Sequence, residues 1–194
     1  MAFGYPPRVQ NMLQRLLQAD DIIGLRAPKR ALHLAKYNGG FKVAQIHLHS
    51  TDGKSLLSDE LLFNHGSILT LLVIGDSDGR DRSMVRDMVE ASGMPREVLS
   101  AEGVHFINTK QPWQASISGD SSACLNGEQR GLPVTFFPST QEDAATIRSR
   151  LGWSAKFAIV RPDYVVFATA TSLDELSRHL QSLRERLGYQ ETKL

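Results

Sequence analysis

Residues 155–187 read AKFAIVRPDYVVFATATSLDELSRHLQSLRERL, and this stretch decides the fold. Phe157 to Val160 is a short apolar run that reads as a strand. Arg161-Pro162-Asp163-Tyr164 interrupts it, and Pro162 supplies the fixed φ that turn position i+1 wants. A second apolar run returns, giving a hairpin over 157–169. Ser172 and Glu175 then form a capping box. Leu173, Leu176, Leu180, Leu183 and Leu187 repeat at helical spacing, and Gly188 is placed to cap the end.

Working backwards, Thr140 opens a helix with Ala144, Ile147 and Leu151 on its apolar side, and Gly152 ends it. LPVTFFPS before it reads as a short extended segment. Residues 108–131 show no periodicity, and a loop of that length in a compact domain is a functional candidate. Val104 to Ile107 reads as a strand, and 83–92 as a helix with Met84, Val85, Met88 and Val89 on one side. Ile68 to Ile74 (ILTLLVI) predicts a central strand. Further back, Val43 to His49 alternates, and Asp52-Gly53 predicts a hairpin returning through Ser55 to Leu57. Val9, Met12, Leu13, Leu16 and Leu17 predict an amphipathic helix over 7–22.

Strands and helices that alternate and close in a hairpin and a helix suit an α/β, thioredoxin-like sandwich. A mixed central sheet with flanking helices is expected, in a single domain. The expected division is a helical extension over 1–23, the thioredoxin-like domain over 24–188 and a tail over 189–194.

The chain has 194 residues, 22 basic and 21 acidic, for a formal net charge of +1. Such balance gives no electrostatic reason to expect nucleic acid or an anionic membrane as partner. No apolar run approaches the roughly 20 residues that span a bilayer. Prolines occupy the start, MAFGYPPRVQNMLQ, where a secretory leader needs an apolar core. A cytoplasmic location is the expectation. The one cysteine, Cys124, sits in the polar stretch SSACLNG and reads as an exposed thiol. A CxxC pair is excluded. So is a dinucleotide fingerprint, because no strand is followed by GxGxxG.

The segment FAIVRPDYVVFA resembles the end of the C-terminal domain of phenol-hydroxylase-type flavin monooxygenases. Gly24, Arg26, Ala27 and Pro28 resemble that domain's opening, and LLVIG at 71–75 its first central strand. The order of pieces agrees over roughly 24–187. Where the family has Gly after the RPD turn, this chain has Tyr164. With no flavin or nicotinamide motif and no CxxC, the resemblance implies a protein without cofactors. It implies a stand-alone cyclase of an aromatic polyketide or prenylated phenol, working by intramolecular phenol addition. The alternative is a non-catalytic binding or dimerisation module. A homodimer and a small aromatic substrate are the partners implied.

Candidate residues follow from chemistry. Asp76 at the end of the central strand is placed to act as base, with His105 as acid. Asp76 also reads as a helix-start carboxylate, and His105 as a core histidine. His47 and His49 share a strand face and offer a second acid–base pair, or a solvated edge. No third ligand stands at a telling spacing, so no metal is assigned. Trp113 is expected to stack on substrate, and Arg161 to sit near a phenolate or to fix its own turn. Tyr164 and Phe106, with Phe136, Phe137 and Trp153, could line an aromatic pocket. The cleft is expected at the end of strand 68–74, partly covered by the loop 108–131.

Overall fold

The structure is a computed structural model and describes residues 34–62, 66–75, 79–110, 134–187 and 189. The strands are β1 His47–Ser50, β2 Ser55–Leu57, β3 Thr70–Ile74, β4 Val104–Ile107, β5 Thr135–Pro138, β6 Phe157–Val160 and β7 Val166–Ala170. The α-helices are α1 Gly79–Ala91, α2 Gln141–Leu151 and α3 Leu173–Arg186. The expected extension 1–23 and the tail from residue 190 lie outside the described residues.

All seven strands join one sheet in the order β2-β1-β5-β4-β3-β6-β7. β3 runs parallel to β4 and antiparallel to β6, so it lies inside the sheet as its apolar run requires. Every residue of β3 is buried. The block β3-α1-β4 followed later by the hairpin β6-β7 and α3 is the thioredoxin-like core, in the strand order β7-β6-β3-β4. To this core β5 adds a strand parallel to β4, and the β1-β2 hairpin extends the sheet antiparallel to β5.

Two apolar layers sandwich the sheet. Leu71, Val73, Val104, Phe106 and Ile159 pack with Val85 and Val89 of α1 and Leu176, Leu180 and Leu183 of α3. On the other face Ile46, Leu48, Leu72, Ile74, Ile107 and Ala158 pack with Leu61 and Leu62 of a 3-10 turn and Ile147 and Leu151 of α2. The α3 leucine stripe is thus spent on the core, which removes it as a reason to expect a dimer. No helix among the described residues is long and apolar enough to cross a membrane.

Local chemistry sets the element ends. Thr140 Oγ1 accepts the Asp143 N–H at 3.0 Å and starts α2. Gly152, at φ 98, stops it. At α3 the Ser172 hydroxyl accepts the Glu175 N–H, as the capping box predicts. The Glu175 carboxylate reaches one residue further than the motif, to Thr171 N–H at 2.7 Å. That bond is the main reason the Glu175 pKa lies below its ordinary value. α1 begins at Gly79, a turn earlier than the apolar spacing predicts, because its first turn is polar.

The edge strand β7 is not left bare. Leu34 N–H donates to Phe167 O at 2.7 Å, Gly40 N–H to Val166 O at 2.8 Å, and Val166 N–H returns to Phe41 O at 2.8 Å. An irregular segment over 34–43 therefore covers the ladder groups that an edge exposes. Gly39 permits this approach, since a Cβ there would stand 2.3 Å from Phe167 O.

Candidate functional site

The main cleft opens where β3 ends, α1 and β6 begin and β7 hands over to α3. Its volume is about 920 Å³, near the upper end of the range of small-molecule pockets. The expected position at the end of the central strand and the observed one coincide. Ile74, Val85, Ala155 and Phe157 give it an apolar floor. Lys110, Arg148, Trp153 and Lys156 stand around it, with Asp81 and Asp174 on the first turns of α1 and α3.

Arg148 is fixed before any ligand arrives. Its Nε donates to the buried Thr109 Oγ1 at 2.7 Å, and Nη1 donates to Trp153 O at 3.2 Å. Its Nη2 faces Gly75, 3.8 Å from where a Cβ would stand. Gly75 takes φ 117, a conformation open to glycine and strained for other residues. Its N–H is held by Ile107 O at 2.9 Å. Ile74 N–H donates to Lys156 O at 2.7 Å, which sets Lys156 beside the same glycine. Trp153 is 66% exposed, the most exposed large apolar side chain described.

Among the described residues, His105, His47, His49, Arg161, Tyr164 and Phe106 do not line this cleft. Asp76, Trp113 and Cys124 lie outside the described residues, as do 111–131 of the expected lid. His105 pairs in register with Leu72, short of the end of β3. It lines a separate hollow of about 460 Å³ with Asp52, Lys54, Glu60 and Phe136, which shares no lining residue with the main cleft. Its ring stands edge-on to Phe136, centroids 5.9 Å apart. His47 and His49 do share a face, His47 exposed and His49 half-buried, but β5 and β4 separate their strand from β3.

Arg161 and Tyr164 sit at the far end of β6 from the cleft. The Arg161 side chain is fully buried and pairs with Asp163 at 2.7 Å, so it fixes the turn. Tyr164 adopts φ 67 and donates its N–H to Arg161 O at 3.0 Å. Burial, and then the Asp59 charge, push its phenol pKa up. Phe106 is 1% exposed, under the Arg82 guanidinium at 5.1 Å, and belongs to the core rather than to a pocket wall. Among the described residues, no three His, Cys, Asp or Glu side chains group as a metal site.

Arg148, Thr109, Lys110 and Lys156 were missed by sequence reasoning. Arg148 lies on the flank of α2, one position from the apolar Ile147, and reads there as an ordinary solvated charge. A signal existed in Gly152-Trp153, an aromatic just past a helix stop, which has to lie on something.

No family model matches the chain, and no curated protein is similar to it in sequence. Solved structures of similar shape include yeast Sco1 with copper bound, 13% identical over 73% of this chain and 93% of that one, TM-score 0.44. Arabidopsis thaliana ScoI with copper bound is 10% identical over 76% and 99%, TM-score 0.47. The thioredoxin domain of a thiol-disulfide oxidoreductase from Bacteroides vulgatus is 10% identical over 74% and 96%, TM-score 0.42. These are Sco proteins and a thiol–disulfide oxidoreductase, not phenol-hydroxylase C-terminal domains, and that overturns the resemblance drawn from the sequence. The cyclase of phenolic substrates and the flavin-hydroxylase accessory module fall with it. LLVIG and the RPD hairpin mark a buried strand and a tight turn, which a shared topology supplies without a shared family. At such identities, copper binding and thiol exchange stay with the proteins named.

Proposed function

We propose that this chain is a small-molecule binding protein on a thioredoxin-like frame, working without a dithiol. The observation that carries the reading is the cleft at the end of β3, with an apolar floor and a guanidinium already pinned at its rim. Ligands of α/β sheets gather at such strand ends. The chain's one cysteine, Cys124, cannot form an internal disulfide, so binding rather than dithiol exchange suits the site. A cytoplasmic location accompanies the proposal, supported by the same cysteine usage.

The test is ¹⁵N chemical-shift mapping with three probes of one shape: 2-naphthoate, 2-naphthamide and 2-naphthylmethylamine. At least one is expected to move the amides of Gly75, Ser154 and Lys156 in a saturable way. Ser154→Trp, a substitution at an exposed lining position, is expected to abolish those shifts. If none of the three probes moves these amides, the binding reading is wrong.

A further inference from the structure

We propose that the cleft is built for a planar aromatic monocarboxylate, with the acid on Arg148 and the ring against Trp153. The inference rests on the binding reading above and names its ligand class.

Arginine carries five N–H donors in a rigid fork. In Arg148 the Nε and one Nη1 hydrogen are spent on Thr109 Oγ1 and Trp153 O. The remaining Nη1 and Nη2 hydrogens form the end of the fork, the geometry that takes a carboxylate through two parallel bonds. Both anchors hold the guanidinium plane in advance, so little side-chain freedom is lost on binding. Gly75 leaves the space in front of Nη2 free of a side chain. Lys156, an exposed residue that also lines the cleft, adds a second positive charge to it.

The aromatic half follows from Trp153. Its carbonyl is held by Arg148, and its large ring stands 66% exposed on the cleft wall. A ring so exposed, on the residue whose carbonyl the fork holds, offers a stacking face. Charge sets the limit of one acid group. Asp81 and Asp174 also line the cleft, and their carboxylates disfavour a dianion such as a phosphate monoester.

Isothermal titration with 2-naphthoate, 2-naphthamide and 2-naphthyl phosphate tests the assignment. The carboxylate is expected to bind about 10-fold or more tighter than the amide, the difference a charge-assisted pair makes. It is also expected to bind tighter than the phosphate. Arg148→Met should bring the carboxylate-to-amide ratio close to one, and Arg148→Lys should restore it in part. Trp153→Ala should weaken carboxylate and amide alike, and circular dichroism checks that each variant is folded. Equal affinity of wild type for carboxylate and amide overturns the acid-group assignment while leaving the cleft a binding site. A preferred phosphate overturns the monocarboxylate limit. An unchanged ratio in both Arg148 variants overturns the role of Arg148. Absence of binding by all three ligands overturns this inference, and the shift mapping then decides the fate of the cleft itself.

Discussion

Tyr164 holds a backbone angle that suits glycine. At φ 67, in the tight β6-β7 turn, an L-residue carries a cost of about 1–2 kcal/mol. Its half-buried ring packs with Val43, Ala44 and Leu56 against the α2-side core, which offsets part of that cost. Two variants separate the terms. Tyr164→Ala keeps the strain and loses the ring, while Tyr164→Gly loses both. Urea unfolding is expected to find the glycine variant about 1 kcal/mol more stable than the alanine variant. The reverse order would mean that the turn is unstrained. His179 gives a pH dependence. It is 3% exposed, bonded to Thr169 O at 3.1 Å, and its ring is tilted 59° against that of Tyr37, centroids 4.5 Å apart. The carbonyl can only accept, so Nε2 carries a proton. Burial lowers its pKa below the ordinary 6.5, although the Thr169 bond and the Glu175 charge oppose the shift and Arg178 adds to it. The unfolded chain therefore takes up a proton first as pH falls. The stabilisation is complete above about pH 6.5 and declines below it, at up to about 1.4 kcal/mol per pH unit. His179→Leu should flatten ΔG of unfolding between pH 7 and 5, and an unchanged slope would remove His179 as the cause. Tyr164 stood out in the sequence, in a turn position that suits glycine, but His179 did not, since it reads there as one polar position in an amphipathic helix.

Elements were more legible than the contacts between them. β3 announced itself because burial on both faces leaves the run apolar except for Thr70, which is itself buried. The β6-β7 hairpin and α3 were legible because turn and cap chemistry is local. What was not legible is register, and register decided the site. Topology suggests His105 for the end of β3, yet β4 meets β3 with His105 beside Leu72, and it lines a different hollow. The cover of β7 by 34–43 was also invisible, since it forms through backbone groups with no apolar pattern. Its weak point is Gly39. A Cβ there would meet the backbone of Phe167 and Leu34, at 2.3 and 2.6 Å, and backbone cannot swing aside. Gly39→Ala is expected to cost about 3 kcal/mol or more, the upper end of overpacking effects. Hydrogen exchange should show the Gly40 and Val166 amides losing protection before those of β3. A variant as stable as wild type would mean that the cover is not needed.

Across the whole molecule the two apolar layers and the strand order place the cleft, and the sequence placed it too, because strand ends in such folds are predictable. Trp153 was named from the sequence as a pocket aromatic, but the charged lining was not predictable. Thr109, Gly75 and the neighbouring pair Arg148 and Trp153 come from three separate segments, and only the folded chain brings them to one point. The same long-distance closure governs how the chain is made. Thr169 Oγ1 donates to Tyr37 O across 132 residues, and Asn38 Nδ2 donates to Leu151 O across 113. A ribosome adding about 5–20 residues per second needs on the order of ten seconds to travel from the first of these partners to the last. During that interval the segment 34–43 has nothing to lie on, since β7 is the last of the described strands to be synthesised. The edge cover is therefore among the last pieces of this protein to form, and a nascent chain stalled before residue 166 would present it bare to whatever chaperone waits at the exit.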